Sequence, residues 1–360
     1  MNKIKIFVDG HVLDGKPQGT CSYIAGLYGA LSKNENFEIY VATNNYESII
    51  KYFGGNNNVK WVKLNSKSKY FRLAYELTMI ERKIKPDFSH YQYITPLFKF
   101  GRWINTIHDL LFIDFPSNFP LKYRLINYLL FKISAIRSDV ILTVSSYSKN
   151  RISKHFNIKE NDIVVTPNAV DNILSFGEES IGFLENEKFF IYVSRIEPRK
   201  NQDLLARAFL MANIPLDTKL VLVGAKSLAY PLLDDLLKND RIVHLEGISN
   251  ENLVWLYKNA KASLYPSKCE GFGIPPLEAA ILGCKSFCAK NTALTELSSF
   301  VDGTFNCGNI EEIKTIIELV IQDSNLEQAS GKKIMDKFNW GNVASEFISA
   351  INKSASNHTL

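Results

Sequence analysis

Residues 192–209, YVSRIEPRKNQDLLARAF, pass from an apolar strand-like run through a cationic loop into a helix-like stretch. Short runs of β-branched and aromatic residues that are each followed by a helical pattern are typical of βα units with parallel strands. Arg195, Arg199 and Lys200 lie in the loop, and Asn201 stands where the helix would begin. The stretch therefore predicts a parallel α/β domain with cations at the carboxyl end of its first strand.

The same alternation runs through the rest of the chain. Strand-like runs in the first half are KIKIFVD, FEIYVAT, NVKWVKL, FSHYQY, RWINTIHD and DVILTVS, and in the second half FFIYVSR, TKLVLVG, RIVHLEG, ASLYPS and CKSFCAK. Helix-like stretches between them cover residues 21–33, 70–84, 121–137, 201–212, 250–260 and 310–322. Because the rhythm occurs twice in 360 residues, we predict an α/β fold of two doubly wound Rossmann-like domains facing across a cleft, with ligands at the carboxyl ends of the strands.

The boundary between these domains is expected at residues 167–188, where both periodicities are lost and acidic and glycine residues accumulate. We predict an N-terminal domain over residues 1–170 and a C-terminal domain over residues 171–340. A final helix is predicted over about 341–353, with Asn339 as its cap and Trp340 as an anchor. This helix is expected to pack back on the N-terminal domain.

Composition indicates a soluble globular protein, with 46% hydrophobic and 22% charged residues. The sequence shows neither a signal-peptide core nor an apolar run long enough to span a bilayer, so we expect a cytoplasmic protein. No C-x-x-C pair is present, which predicts free buried thiols without a disulfide or a metal site. The cysteines are Cys21, Cys269, Cys284, Cys288 and Cys307.

The charge is unevenly distributed. Residues 1–170 carry 23 Lys and Arg against 13 Asp and Glu, a balance of +10, whereas residues 171–360 carry 19 against 24, a balance of −5. Basic and aromatic residues alternate in the helix-like stretches 67–85 and 121–137, which favours an anionic membrane surface as a partner of the first half. The alternative is that these helices cover a sheet and that the charge is solvated surface charge. No nucleic-acid partner is predicted.

A second chemical motif occupies residues 269–280, CEGFGIPPLEAA, in which Glu270 and Glu278 flank two glycines and a Pro-Pro pair. Proline in a first helical turn leaves the preceding amide groups free to face an anion. These amides belong to Phe272, Gly273 and Ile274. Glu278 is expected in the first helical turn.

Such a segment suits a nucleotide sugar: Glu278 would accept hydrogen bonds from ribose hydroxyls, the amides would bind phosphate, and Glu270 would reach the hexose. The alternatives are that Glu278 only complements the helix dipole and that Glu270 is a surface acid.

The first strand is followed by DGHVLDGKPQGTCSYIAGLYGAL, residues 9–31, which holds no G-x-G-x-x-G pattern. A dinucleotide cofactor is therefore not expected. Gly19 immediately precedes an apolar helical pattern, so its backbone could approach a phosphate or a sugar at a helix N-terminus. A simple turn is the alternative.

SRIEPRKN, YPSKCEGFGIPPLEAAILG and TALTEL together resemble the donor-binding half of the retaining glycosyltransferases of family four, which have the GT-B fold. Glu270 and Glu278 match the Glu-x7-Glu signature of that family. TIHDLLF and TVSSYSKNRI resemble its N-terminal elements, as does VTPNAVD, in which Ala169 replaces a glycine, while PQGTCSY departs from the usual glycine-rich form. The similarity spans about residues 1–350 and is strongest over 191–300.

The resemblance implies a retaining hexosyltransferase that moves a hexosyl group from a nucleotide-diphospho-sugar to a glycan or a lipid-linked saccharide in cell-surface polysaccharide synthesis, on the inner face of the membrane. The N-terminal domain would bind the acceptor and the C-terminal domain the donor. Arg195 and Lys200 would stabilise the departing diphosphate, Glu270 would lie beside the donor sugar, Glu278 would hold the ribose, and His108 would contact the transferred sugar. Because the chain has no Asp-x-Asp pair, we predict transfer without a metal ion.

Several alternatives remain open at this point. His108 and Asp109 could form a buried structural pair. The same architecture also suits a nucleotide-sugar 2-epimerase or a catalytically silent sugar-nucleotide-binding partner. Retention could proceed by front-face attack or through a covalent glycosyl intermediate. The sequence identifies neither the base nor the hexose.

Overall fold

A computed structural model describes residues 3–15, 18–323 and 328–356, with Asn118 described by its backbone alone. The described chain divides into two compact units. Unit 1 consists of the residues up to Ala169 together with those from Asn339 onward, and unit 2 consists of residues Val170–Phe338. The first crossing between the units therefore lies within the predicted linker region, 167–188.

Unit 1 is built on a seven-stranded parallel sheet with the order β3-β2-β1-β4-β5-β6-β7. The chain runs outward from β1 to β3 and then returns to place β4 on the other side of β1, which is the strand order of a doubly wound fold. The strands are β1 (Ile4–Asp9), β2 (Phe37–Thr43), β3 (Val59–Lys63), β4 (Phe88–Gln92), β5 (Arg102–Thr106), β6 (Val140–Thr143) and β7 (Ile163–Val165).

Helices connect these strands, as parallel pairing requires. They are α1 (Gly19–Leu31), α2 (Tyr46–Phe53), α3 (Lys69–Phe71), α4 (Leu77–Ile84), α5 (Leu111–Asp114), α6 (Leu121–Arg137) and α7 (Ser146–Phe156). A π-helical turn, Arg72–Glu76, joins α3 to α4. Short 3₁₀ helices cover His11–Asp14, Pro116–Asn118 and Glu160–Asp162.

Unit 2 repeats the same winding in a six-stranded parallel sheet with the order β10-β9-β8-β11-β12-β13. Its strands are β8 (Phe189–Val193), β9 (Lys219–Val223), β10 (Ile242–Leu245), β11 (Ser263–Tyr265), β12 (Ser286–Ala289) and β13 (Gly303–Phe305). Its helices are α8 (Gln202–Met211), α9 (Pro231–Leu236), α10 (Asn250–Asn259), α11 (Ile274–Ile281), α12 (Ile310–Gln322) and α13 (Gly331–Lys337). Its 3₁₀ helices are Asp171–Ser175, Gly182–Leu184, Pro198–Lys200 and Thr292–Leu297.

The last helix, α14 (Trp340–Ser356), belongs to unit 1 and packs on α1. The Asn339 side chain accepts a hydrogen bond from the Asn342 amide at 2.8 Å, which confirms the predicted cap. Trp340 is buried against Gly26, where an added Cβ atom would lie 1.9 Å from the Trp340 ring atom Cε2. Only glycine at position 26 leaves space for this ring.

The strands are apolar because both faces of each sheet are covered by helices. Phe7, Tyr91 and Trp103 are among the buried residues of one cluster in unit 1, whereas Phe189, Ile191 and Val221 belong to a cluster in unit 2. The predicted fold class, α/β with two doubly wound sheets, is confirmed.

Two strands were absent from the sequence prediction. β7 and β13 have three residues each and lie at sheet edges. All five cysteines are free, as predicted; four are buried and Cys307 is half-buried. Among the described residues, no helix has both the length and the apolar character needed to cross a bilayer.

Candidate functional site

In unit 2 the loops that follow β8 and β11 lie side by side, because these two strands are parallel neighbours in the sheet. The Lys268 amide donates to the Arg199 carbonyl at 2.9 Å, and the Asn201 side chain donates to the Pro266 carbonyl at 3.3 Å. These bonds join the SRIEPRKN loop to the loop that begins the second motif. The predicted Lys200 and Glu270 are thereby brought together.

Glu270 lies at the centre of a buried group of charges. Its carboxylate forms an ion pair with the Lys200 ammonium, accepts a hydrogen bond from the Tyr265 hydroxyl at 3.0 Å, and lies 3.7 Å from Arg199 Nη1. Its backbone amide donates to the Thr292 hydroxyl at 3.0 Å. The TALTEL segment therefore also contacts Glu270. It follows Glu270 in the sequence, whereas Lys200 and Arg199 precede it.

Burial alone would raise the pKa of Glu270, but the charges of Lys200 and Arg199 outweigh it and lower that pKa to about 2. Burial lowers the pKa of Lys200, and the attraction of Glu270 opposes this shift. At neutral pH, Glu270 is consequently a carboxylate that accepts hydrogen bonds and does not donate a proton.

The three cations of the loop differ in their surroundings. The side chain of Arg195 is 55% exposed, and its Nη2 lies 3.7 Å from Glu197. Arg199 is 15% exposed, donates to the Cys269 carbonyl at 3.1 Å and lies 2.6 Å from Glu197. Arg199 is thus a member of the Glu270 group that the sequence interpretation left out, since nothing in the loop sequence distinguishes it from Arg195.

Gly273 reverses the chain between Glu270 and α11. Its φ angle is +115°, and an added Cβ atom would lie 2.6 Å from Leu294 Cδ2, so only glycine suits this position. Within the described residues, the amides ahead of the Pro-Pro pair donate no hydrogen bond to a backbone carbonyl. These amides, of Phe272, Gly273 and Ile274, keep the predicted capacity to bind an anion.

The predicted position of Glu278 in the first helical turn is wrong. α11 begins at Ile274, directly after Gly273, so the prolines occupy its second and third positions and Glu278 its fifth. Glu278 is half-buried, and its carboxylate makes no hydrogen bond or ion pair within the described residues. Burial raises the pKa of Glu278 to about 7. The carboxylate is therefore about half protonated at neutral pH.

In unit 1 the predicted residues also lie where strands end. His108 follows β5, and its Nε2 lies 2.8 Å from Oε1 of Gln92, the last residue of the neighbouring β4. The Tyr23 ring meets the His108 ring edge-on at 5.1 Å. Burial lowers the pKa of His108 to about 3, so the imidazole is neutral. Gly19, predicted just before the helix that covers residues 21–33, is instead the first residue of α1.

A second buried histidine extends this neutral polar group. His90 Nδ1 lies 2.7 Å from the Tyr28 hydroxyl, and His90 Nε2 lies 2.8 Å from the Thr106 hydroxyl. Burial lowers the pKa of His90 to about 3. In the described ranges 3–15, 18–323 and 328–356, no cluster of three or more His, Cys, Asp or Glu side chains could hold a metal ion.

Two family profiles match the chain over most of its length. The family described as "Glycosyltransferase Family 4" matches residues 18–172, and "Glycosyl transferases group 1" matches residues 177–335. Because the matched segments follow one another, they cover the strand-end groups of both units.

Known proteins of similar sequence include two from Escherichia coli. O-antigen chain mannosyltransferase B is 28% identical over 287 residues, which is 73% of this chain and 74% of that protein. Serotype-specific mannosyltransferase WbdA is 24% identical over 227 residues, 58% of this chain. The match spans only 28% of WbdA.

Solved structures match the whole fold. Sucrose-phosphate synthase from Thermosynechococcus elongatus superimposes with a TM-score of 0.75 at 16% identity, covering 99% of this chain and 100% of the other. Anabaena HepE, in complex with UDP and glucose, gives a TM-score of 0.73 at 15% identity, covering 98% of this chain and 100% of the other.

Proposed function

The chain belongs to the family-four glycosyltransferases, and from this premise we propose that it transfers a hexosyl group from a nucleotide-diphospho-sugar to a saccharide acceptor with retention of anomeric configuration. The observation that carries the proposal is the buried Glu270, Lys200 and Arg199 group, together with the Glu278 carboxylate farther along the same motif, which has no partner among the described residues.

In this proposal Lys200 and Arg199 stabilise the negative charge that develops on the departing diphosphate. Cations fixed in a buried site stabilise such charge without reorganisation. Arg195, at the exposed edge of the loop, adds a third cation. Glu270 accepts hydrogen bonds from the donor sugar hydroxyls and holds Lys200 in place between turnovers.

Glu278 is proposed to accept hydrogen bonds from the ribose hydroxyls. A carboxylate that is half-buried and has no protein partner among the described residues is destabilised by desolvation. Two hydroxyl donors from a ribose would replace the missing water and stabilise its charged form. Donor binding would then lower the pKa of Glu278.

We propose front-face attack for the transfer step. The acceptor hydroxyl attacks the anomeric carbon as the carbon–oxygen bond to the diphosphate breaks, and the leaving phosphate oxygen takes the hydroxyl proton. Glu270 is a poor candidate nucleophile, because two cations and a tyrosine hydroxyl already engage its oxygens. His108, being neutral, is proposed to contact the transferred sugar through a hydrogen bond.

No metal ion takes part in this proposal, since the loop cations and the α11 amides supply the positive charge. Activity should therefore persist in EDTA, and the product anomer seen by NMR should have the donor configuration. Inhibition by EDTA that Mg²⁺ or Mn²⁺ reverses would contradict the metal-independent step, and an inverted anomer would contradict retention.

The proposed acceptor is a glycan or lipid-linked saccharide of cell-surface polysaccharide synthesis, because relatives of similar sequence include O-antigen chain mannosyltransferases. A mannosyl donor is accordingly the first candidate. A panel of UDP-, GDP- and ADP-sugars, tested for thermal stabilisation and then for transfer, identifies the donor. Interconversion of the sugars without transfer would instead indicate a 2-epimerase, and binding alone a silent module.

We further propose that unit 1 binds the inner face of the membrane. Exposed large apolar side chains are concentrated on α3, the π-helical turn, α6 and residues 97–100, among them Tyr70, Phe98 and Leu125. Each nearby Lys or Arg adds about 1 kcal/mol at an anionic surface. Sedimentation should show salt-sensitive binding to anionic vesicles, and equal binding to neutral vesicles would contradict the proposal.

A further inference from the structure

An apolar groove with a volume of about 650 Å³ crosses the surface of unit 1. One wall is formed by α3 and the π-helical turn Arg72–Glu76, and the other wall is formed by α6. Residues 94–97 form the floor. The volume lies in the range of sites that hold small ligands, about 300–1,000 Å³.

Hydrogen bonds tie both walls of the groove to its floor. The Leu97 amide donates to the Leu73 carbonyl at 3.1 Å, which ties the floor to the π-helical turn. The Thr95 amide donates to the Ser134 hydroxyl at 3.0 Å, and Arg137 Nη1 donates to the Pro96 carbonyl at 3.3 Å, which tie the floor to α6. The groove is therefore preformed and does not depend on the chance positions of surface side chains.

Large apolar side chains line the groove and remain in water. Tyr70 is 83% exposed, Leu97 60% and Ile126 48%. A partner that buried this apolar surface would be stabilised by its removal from water. A contiguous surface of this kind marks a binding site more often than isolated exposed residues do.

The charged residues that line the groove are all cations: Lys69, Lys122 and Arg137. Lys69 and Lys122 form no ion pair with any residue in the described part of the chain. Arg137 is already engaged by the Pro96 carbonyl and the Trp103 ring. The free ammonium groups thus stand beside an apolar channel, which is the arrangement that matches a hydrocarbon chain ending in a phosphate.

We propose that this groove binds the hydrocarbon chain of the lipid that carries the acceptor saccharide, with the lipid phosphate on Lys69 and Lys122. The inference rests on the proposed function and names the acceptor as lipid-linked. A second copy of the chain is a poorer occupant, because pairing this face with itself would bring together like charges on the two rims.

The test is calorimetric titration of the full chain with farnesyl phosphate below its micelle concentration. Ile126→Asp places a charge inside the groove, whereas Leu129→Asp alters an exposed α6 residue that does not line it. We expect at least a tenfold loss of affinity for Ile126→Asp and less than a twofold change for Leu129→Asp. Ala74→Trp, which fills the groove without removing a contact, should also lose at least tenfold.

A second comparison separates the contribution of the lipid's hydrocarbon chain to binding from that of its phosphate. Lys122→Glu should weaken farnesyl phosphate binding while leaving farnesol binding within twofold, and Lys132→Glu on the same helix, outside the groove, should change neither. Inorganic phosphate alone should bind at least a hundredfold more weakly than farnesyl phosphate.

Equal losses for Ile126→Asp and Leu129→Asp, or no loss for Ile126→Asp and Ala74→Trp, would overturn the proposal. A dimer that Ile126→Asp converts to a monomer would also overturn it, because the groove would then be an interface between copies. Each variant must keep the nucleotide-sugar affinity and melting temperature of the parent chain. A parent chain that binds farnesyl phosphate in this pattern yet transfers no sugar would contradict the proposed function and leave the groove assignment in place.

Discussion

Units 1 and 2 wind their strands in the same order around a central first strand, but they place different chemistry at the strand ends. In unit 2, Lys200, Arg199 and Glu270 form a buried group of full charges. In unit 1, His108, which follows β5, is neutral and is held by the Gln92 amide, and the neutral His90 within β4 is held by hydroxyl groups. Topology therefore fixes where a site forms, whereas the loop residues decide whether it stabilises charge or makes neutral hydrogen bonds.

The largest expected effect tests the charged side of this comparison. Lys200→Ala should lower kcat by about 10²- to 10³-fold, because a fixed cation is lost from the developing diphosphate charge. It should also destabilise unit 2 by about 3 kcal/mol, since the buried Glu270 carboxylate would keep the Tyr265 hydroxyl but lose the nearer of its two cations, leaving Arg199 at 3.7 Å. Steady-state kinetics and urea unfolding measure the two effects.

Lys226→Ala is the control, because its ion pair with Asp234 is exposed and should matter little. The double variant Lys200→Met with Glu270→Gln should recover most of the lost stability and none of the lost turnover. Recovery of turnover would mean that the pair serves the fold alone.

The next effect concerns Glu278. Glu278→Ala should weaken donor binding by roughly tenfold or more, as expected for loss of a charged hydrogen-bond partner. In the proposed ribose contact the ionised carboxylate accepts hydrogen bonds at both oxygens, whereas the protonated acid donates from one of them, so donor affinity in the parent chain should fall by up to about tenfold per pH unit below pH 7. Calorimetry across pH 5.5–8.5, a range chosen to bracket this pKa, measures both.

Glu278→Gln should bind the donor with little pH dependence. The folded pKa of Glu278 is raised above its usual value of 4.5. The free energy of unfolding therefore falls as pH rises from about 4.5 through about 7, because the buried carboxyl group must then ionise. The Gln variant should therefore be no less stable than the parent at pH 8. A parent affinity that does not change with pH would contradict the ribose assignment.

A smaller effect is expected within unit 1, where Gly26 contacts Trp340. Gly26→Ala should cost about 1 to 3 kcal/mol of unfolding free energy, because the new Cβ atom overlaps the indole and forces it to move. Gly29→Ala on the same helix meets nothing within 4 Å and should stabilise by less than about 1 kcal/mol. Equal unfolding free energies for the two variants would show that Trp340 does not hold α14 in place.

The smallest expected signal concerns the neutral side of the comparison. Imidazole NMR resonances of His90 and His108 should not titrate between pH 5 and 8, whereas in urea they should titrate near 6.5. Because both folded pKa values are lowered to about 3, the associated stability is present above pH 6.5 and is lost as pH falls toward 3. Titration of His108 near pH 6.5 in the folded chain would assign it a charged role.

The fold was predictable from the sequence because most helices and strands are long enough for their hydrophobic periodicity to be recognised. α6 and α12 have the predicted bounds, 121–137 and 310–322. β7 and β13 escaped prediction because three residues at a sheet edge carry too little periodicity. The π-helical turn at 72–76 also left no recognisable pattern in its sequence.

The candidate site was predictable by residue type but not by position. Glu270 and Lys200 were each predicted as site residues, but their pairing depends on β8 and β11 being neighbours in the sheet, which the sequence did not predict. Arg199 is more buried than Arg195 because it contacts the Cys269 carbonyl and Glu197. Glu197 is near Arg199 in the sequence, but Cys269 is distant, so the loop sequence alone does not indicate this contact. The start of α11 depends on the φ angle of Gly273, so Glu278 lies one position beyond the first turn.

The discontinuity of unit 1 has a consequence for protein synthesis. The seven-stranded sheet ends with β7, yet α14, whose Trp340 fills the space beside Gly26, is translated only after all of unit 2. Domains generally fold as the ribosome delivers them. Unit 2 is therefore the first unit whose sequence is complete, whereas unit 1 must wait for the last helix with its Tyr28 and Tyr23 surfaces uncovered. A nascent chain stalled before Trp340 should hold a folded unit 2 and a unit 1 that chaperones still bind.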